Sequence, residues 1–95
     1  MFVHIVMLNL KDADDAFHRG VESFATRIKA EVDDVVAYNY GPNVADRGKQ
    51  YTYAVTGGFE SSAAHDAYQA SPAHQEMKAF MTPYIEDMLA CDMEL

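Results

Sequence analysis

A single α+β domain, with its helices on one face of a four-stranded antiparallel sheet, is what this chain predicts, and three observations carry the expectation. At 95 residues the chain suits one domain over residues 1–95, and alone it would bury only about 60 to 65% of its unfolded surface. Runs rich in β-branched and aromatic residues interchange with runs of helical period, in the order strand, helix, strand, strand, helix pair, strand. The first strand is apolar on both sides, which a sheet with one wetted face does not require.

The first strand is Phe2 to Leu10, FVHIVMLNL. Phe2, His4, Val6, Leu8 and Leu10 point one way, and Val3, Ile5, Met7 and Asn9 point the other. Asp12, Asp14 and Asp15 then crowd one turn, where carboxylates favour the positive end of a helix dipole and Asp12 is placed to cap. Phe17, Val21, Phe24, Ala25, Ile28 and Val32 recur at three and four, lining one face of a helix that ends near Glu31. Gly20 weakens that helix by about 1 kcal/mol, and Asp33 and Asp34 read as the turn after it.

Val35 to Tyr40 is the second strand, stopped by Gly41-Pro42-Asn43. The polar stretch from Val44 to Lys49 is a loop positioned to lie over a pocket. Gln50 to Phe59 alternates as a third strand, with a bulge or close backbone approach expected at Gly57-Gly58. Ser61 or Ser62 caps a short helix running to about Gln69. Ser71 and Pro72 then supply an N-cap and a first-turn residue for a new helix. Met77, Phe80, Met81, Tyr84, Ile85 and Met88 mark its apolar face, with Pro83 expected to kink it or force an irregular turn. Leu89 to Leu95 is the last strand.

This order is β-α-β-β-α-β, the ferredoxin-like arrangement, in which both helical segments cover one face of the sheet. The second face of the first strand still needs a cover. A second copy presenting the same face supplies it, so the chain is expected to pair as a homodimer, a dimeric α+β barrel whose two sheets enclose a chamber. Several hundred Å2 of apolar surface, at about 25 cal/mol per Å2, contributes on the order of 10 kcal/mol before association costs.

Fifteen acidic against seven basic residues give a net charge of -8, a field that repels phosphate backbones, so no nucleic-acid partner is expected. The N-terminal apolar run falls short of the roughly 20 residues of a membrane helix and has no basic flank. No membrane association is expected, and the protein reads as cytoplasmic. Cys91 is the only cysteine, which leaves neither a disulfide nor a thiolate metal cage, and it reads as a small buried hydrophobe. No metal site and no cofactor are expected.

The candidate chemistry lies in YQASPAHQEM, Tyr68 to Met77. Tyr68 closes one helix and His74 takes the third position of the next, so a phenol and an imidazole across one corner can face a single cavity as acid and base. His4 projects into the barrel from an otherwise apolar strand face. His18 and His65 read as surface histidines.

The chain resembles the stress-responsive A/B barrel family, a branch of the dimeric α+β barrels. The resemblance rests on HIVMLNLK from His4, GPN at Gly41, GFES at Gly58, AYQASPAH from Ala67 to His74, and Asp92 in the last strand. In type, spacing and flanking residues, Tyr68 and His74 are similar to the catalytic pair of a cofactor-free plant cyclase of this family, which works by intramolecular aldol condensation. The resemblance implies catalytic roles for His74 as general base and Tyr68 as hydrogen donor to the developing oxyanion, with His4 as the substrate-binding residue. It also implies a small carbonyl-containing or aromatic ligand. Two other roles occur in the same superfold: a non-catalytic ligand-binding dimer, and a small monooxygenase, whose usual pocket Trp this chain lacks.

Overall fold

Strand β1 (Phe2–Leu10) runs through the interior of the sheet in a computed structural model that describes residues 1–95. It is followed by α1 (Asp15–Glu31), β2 (Val35–Pro42), β3 (Tyr53–Phe59), α2 (Ser62–Ala70), α3 (Pro72–Met81) and β4 (Ile85–Glu94). All pairings are antiparallel and the strand order is β2-β3-β1-β4, the ferredoxin-like topology. No helix is long and apolar enough to cross a membrane.

The period of α1 determines its burial. Phe17, Val21, Ala25 and Ile28 face the sheet and are buried. Its N-cap is Asp14, which accepts the Phe17 N–H at 2.8 Å, rather than the expected Asp12. Asp12 has φ 58° and turns the chain out of β1. A Cβ on Gly20 would stand 2.6 Å from Phe80 Cζ, so the glycine admits the Phe80 ring, which stacks on Phe17 at 5.5 Å between centroids. The propensity lost at Gly20 is exchanged for close packing of α1 on α3.

Pro83 forces an irregular turn: Thr82–Tyr84 form a single 3-10 turn that ends the second helical segment, and β4 begins at Ile85. Three further expectations are corrected. Met88 therefore belongs to a strand and pairs with Leu8, because β4 matches β1 along nearly its whole length and ladder hydrogen bonds outweigh a helical spacing of apolar residues. The polar loop from Val44 to Lys49 does not line the cavity described below. Cys91 is exposed in the single chain, opposite Ile5 on the face away from the helices.

That outer face is apolar at its centre. Val3, Ile5 and Met7 lie between Gly58, Thr56 and Ala54 of β3 and Met93, Cys91 and Leu89 of β4. Leu89 and Met93 are 56% and 54% exposed. The inner face carries Leu8, Tyr38, Val55 and Phe59, all buried under the helices.

Gly57 lies on the inner face between His4 and Tyr38. A Cβ there would lie 2.8 Å from Phe59 Cε2 and 3.3 Å from Tyr38 Cδ1. Gly57→Ala is therefore expected to cost about 1–3 kcal/mol by overpacking, read as a lower urea midpoint at unchanged slope. Gly41→Ala is the control, since nothing lies within 4 Å of a Cβ there. If both substitutions left the midpoint unchanged, the close approach at Gly57 would not constrain the fold.

Candidate active site

One serine builds the corner on which the site rests. Ser71 Oγ donates to the Tyr68 carbonyl at 2.7 Å and accepts the His74 N–H at 3.3 Å, so it closes α2 and opens α3 with the same atom. Pro72 occupies the first turn of α3, where its missing N–H costs nothing. The corner turns the Tyr68 and His74 rings toward each other, 4.5 Å between centroids.

A cavity of about 290 Å3 lies between the inner face of the sheet and helices α2 and α3. His4, Tyr68 and His74 all line it, with Val6 and Leu8 of β1, Met77 and Met81 of α3, and Ala90 and Asp92 of β4. The structure thus brings together the three residues selected from the sequence. It places them elsewhere than expected: the cavity belongs to a single chain, on the helix side of the sheet, not to a space between two sheets. Strand parity is the reason. His4 shares the face of Leu8, which is 2% exposed beneath the helices, and the opposite face of β1 is the bare one.

Tyr68 is 1% exposed. Its hydroxyl meets that of Tyr38 at 2.7 Å, and the Tyr38 hydroxyl also reaches Met77 Sδ at 3.8 Å. Burial pushes the Tyr68 phenol up to about 12, against the lowering effect of the Tyr38 hydrogen bond. Burial also raises Tyr38, and the neighbouring Tyr68 raises it further. Either hydroxyl can donate in this pair. When Tyr38 donates to Tyr68, the Tyr68 hydrogen is free for a molecule in the cavity, and when Tyr38 donates to Met77 Sδ, Tyr68 donates to Tyr38. Its raised pKa keeps the Tyr68 phenol protonated at neutral pH.

His74 is half-buried, and its Nδ1 is 3.1 Å from the Gln69 carbonyl. A carbonyl only accepts, so Nδ1 carries the hydrogen and Nε2 keeps its lone pair. Burial lowers the His74 pKa below the ordinary histidine value, the Gln69 bond opposes the shift, and Lys78 adds to it. The neutral imidazole is thereby favoured, as its place in the first turn of α3 also requires.

His4 has a partner that the choice of site residues had passed over. Its Nδ1 lies 2.5 Å from Asp92 Oδ1, the two residues facing each other across the β1–β4 ladder. The signal was available, since this topology places the first and last strands side by side. His65 was misread as a surface residue. It is 4% exposed, shares the inner face of α2 with Tyr68 three positions on, and stacks on Phe2 at 4.6 Å. Burial lowers its pKa, and the neighbouring His4 adds to the effect. His18 is half-buried rather than free on the surface, bonded through Nδ1 to the Tyr40 hydroxyl at 2.8 Å.

A family model described as Stress responsive A/B Barrel Domain matches residues 2–95. No match was found among curated proteins. Solved structures give the same fold at low sequence identity. A dimeric ferredoxin-like protein of unknown function from Thermobifida fusca is 21% identical, with 99% of this chain and 90% of that chain covered, at a TM-score of 0.84. A Dabb-family protein with a ferredoxin-like fold from Mesorhizobium loti is 20% identical over 99% of this chain and 95% of that one, at 0.79. A hydroxynitrile lyase from Passiflora edulis is 17% identical over 99% of this chain and 92% of that one, at 0.84.

Proposed function

The chain belongs to the stress-responsive A/B barrel family, and from that premise we propose that it acts as a homodimer in which each chain binds a small carbonyl-containing or aromatic molecule between His4, Tyr68 and His74. There it performs cofactor-free acid/base chemistry of the aldol or cyclase kind. The observation that carries this reading is the 4.5 Å approach of the Tyr68 and His74 rings on the wall of a cavity that His4 also lines. His74 Nε2 removes the proton α to a carbonyl. The resulting enolate carbon bonds to a second carbonyl carbon as that C=O π bond opens. Tyr68 hydrogen-bonds the oxygen that gathers the charge while keeping its own proton, and the imidazolium returns the abstracted proton to the new alkoxide. His4, held by Asp92, orients the molecule.

The size of the cavity, about 290 Å3, suits a small ligand. Pairing is supported by the apolar outer face and by dimeric relatives of the same fold. The Passiflora relative adds a chemical argument. A hydroxynitrile is a carbonyl adduct, so the fold is compatible with proton transfer around a carbonyl. A non-catalytic ligand-binding dimer is the competing reading, favoured by the Tyr38 bond that already engages the Tyr68 hydroxyl.

The test is a thermal-shift panel of 1,3-diketones and phenols, followed by NMR of α-proton exchange in heavy water with each binder. Stabilisation by at least one class is expected, together with catalysed exchange of its α-protons. Ala90→Phe, which fills the cavity, should remove both. Binding without exchange by any diketone would select the non-catalytic reading, and a ligand whose binding ignores Ala90→Phe would sit outside this cavity.

A further inference from the structure

The geometry points to a divalent transition-metal site formed by His4, His65 and Asp92 at the edge of the cavity. One ligand atom from each residue lies within 4.8 Å of the other two. His4 and Asp92 are cross-strand neighbours in the β1–β4 register, and His65 enters from α2, its ring 4.6 Å from that of His4.

An independent observation singles out His65. Its Nε2 is buried and has no hydrogen-bond partner, in a side chain only 4% exposed. Phe2 and Phe59 flank the ring at 4.6 and 5.2 Å and offer no polar group. An unpaired buried ring nitrogen costs about 1–3 kcal/mol, and coordination to a metal ion removes that cost. The chain could have placed any small apolar residue here more cheaply.

The donor set chooses the ion. Two imidazoles and a carboxylate suit Zn2+, Fe2+, Co2+ or Ni2+, whereas Mg2+ and Ca2+ want oxygen ligands. Metal–ligand bonds of about 2.0–2.1 Å place the ligand atoms roughly 3.3 Å apart in a tetrahedral site. The ligand atoms lie within 4.8 Å of one another. The His65 nitrogen therefore has to draw in while His4 Nδ1 and Asp92 Oδ1 open from 2.5 Å and release the hydrogen between them. Asp92, with its side chain 42% exposed, has the freedom for this movement. The surrounding field helps, since the chain carries a net charge of -8 and draws cations.

Three protein ligands leave a coordination position open. His4 and Asp92 both line the cavity, so that position faces the space where a carbonyl oxygen would lie. The site runs against the expectation of no metal drawn from the lone cysteine of the sequence. It goes beyond the acid/base reading and stands or falls without it.

Chelator-stripped protein titrated with Co2+, followed by visible absorption, and with Zn2+, followed by calorimetry, tests the site. One ion per chain is expected. His65→Ala and Asp92→Asn should each weaken binding by about tenfold or more, and His18→Ala should leave it unchanged. Asp92→Asn is isosteric and leaves an oxygen to accept from His4, on a side chain 42% exposed, so it decides the matter if His65→Ala does not fold. Absence of saturable binding below millimolar metal, or wild-type affinity in Asp92→Asn, would overturn the assignment.

Discussion

Ile5→Asp and Leu89→Asp are each expected to convert the protein into a folded monomer. Ile5 lies between Thr56 and Cys91 at the middle of the outer face, and Leu89 pairs with Met7 beside it. In a two-fold pairing of this face each substitution enters twice, once from each chain. A carboxylate buried there without a partner costs several kcal/mol, which weakens association about a hundredfold or more. Sedimentation velocity at micromolar concentration should show a dimer for the parent protein and single chains for both variants. A parent protein that sediments as one chain, or variants that remain dimeric, would remove the proposed pairing.

The location of the cavity adds a second readout. It lies between the sheet and the helices of one chain, so the monomeric variants should keep their far-ultraviolet spectrum and the same ligand preferences as the parent. Had the site lain between two sheets, losing the dimer would have destroyed it. Both parts of the result bear on how the chain uses the two faces of β1: one is a cavity wall and the other the proposed pairing surface.

How far this architecture is legible in the sequence depends on which force sets each feature. Helix α1 is plain because Phe17, Val21 and Ile28 obey one period and are buried accordingly. The Ser71 corner is plain because capping is local chemistry, and both of its hydrogen bonds span three residues. Phe80 against Gly20 is not, because the glycine looks like a weak helix residue until the partner ring 60 positions away is in place. The end of α3 is obscured for a similar reason. Met88 continues a helical spacing, and only the long-range ladder with Leu8 reveals it as strand.

The site divides along the same line. Tyr68 and His74 lie on one corner and can be read together. The His4–Asp92 bond spans 88 positions and follows only once β1 and β4 are placed side by side. His65 needed one more step, the recognition that its spacing of three from Tyr68 puts both on the inner face of α2. Its polar ring gave no apolar signal to mark that face.

His74→Ala is expected to lower turnover of any carbonyl substrate found for this cavity by about 10²–10⁴-fold, the usual worth of a positioned general base. Tyr68→Phe should lower it by about 10²–10³-fold, as loss of one oxyanion donor does. It should also destabilise the fold slightly, because Tyr38 then loses its hydroxyl partner. The pH profile separates the two roles. Burial holds the His74 pKa below the ordinary value of 6.5, so the base form is present at neutral pH and is lost only as the pH falls through that lowered value. The rate should therefore be flat near pH 7 and fall on an acid limb with its midpoint under 6.5. Tyr68, pushed up to about 12, should add no alkaline limb below that range. The acid limb should vanish in the residual activity of His74→Ala and persist in Tyr68→Phe. Measuring in the presence of a chelator keeps this outcome independent of any metal at His65. An acid limb that survives His74→Ala would assign the base elsewhere, with His4, already paired to Asp92, the first residue to replace.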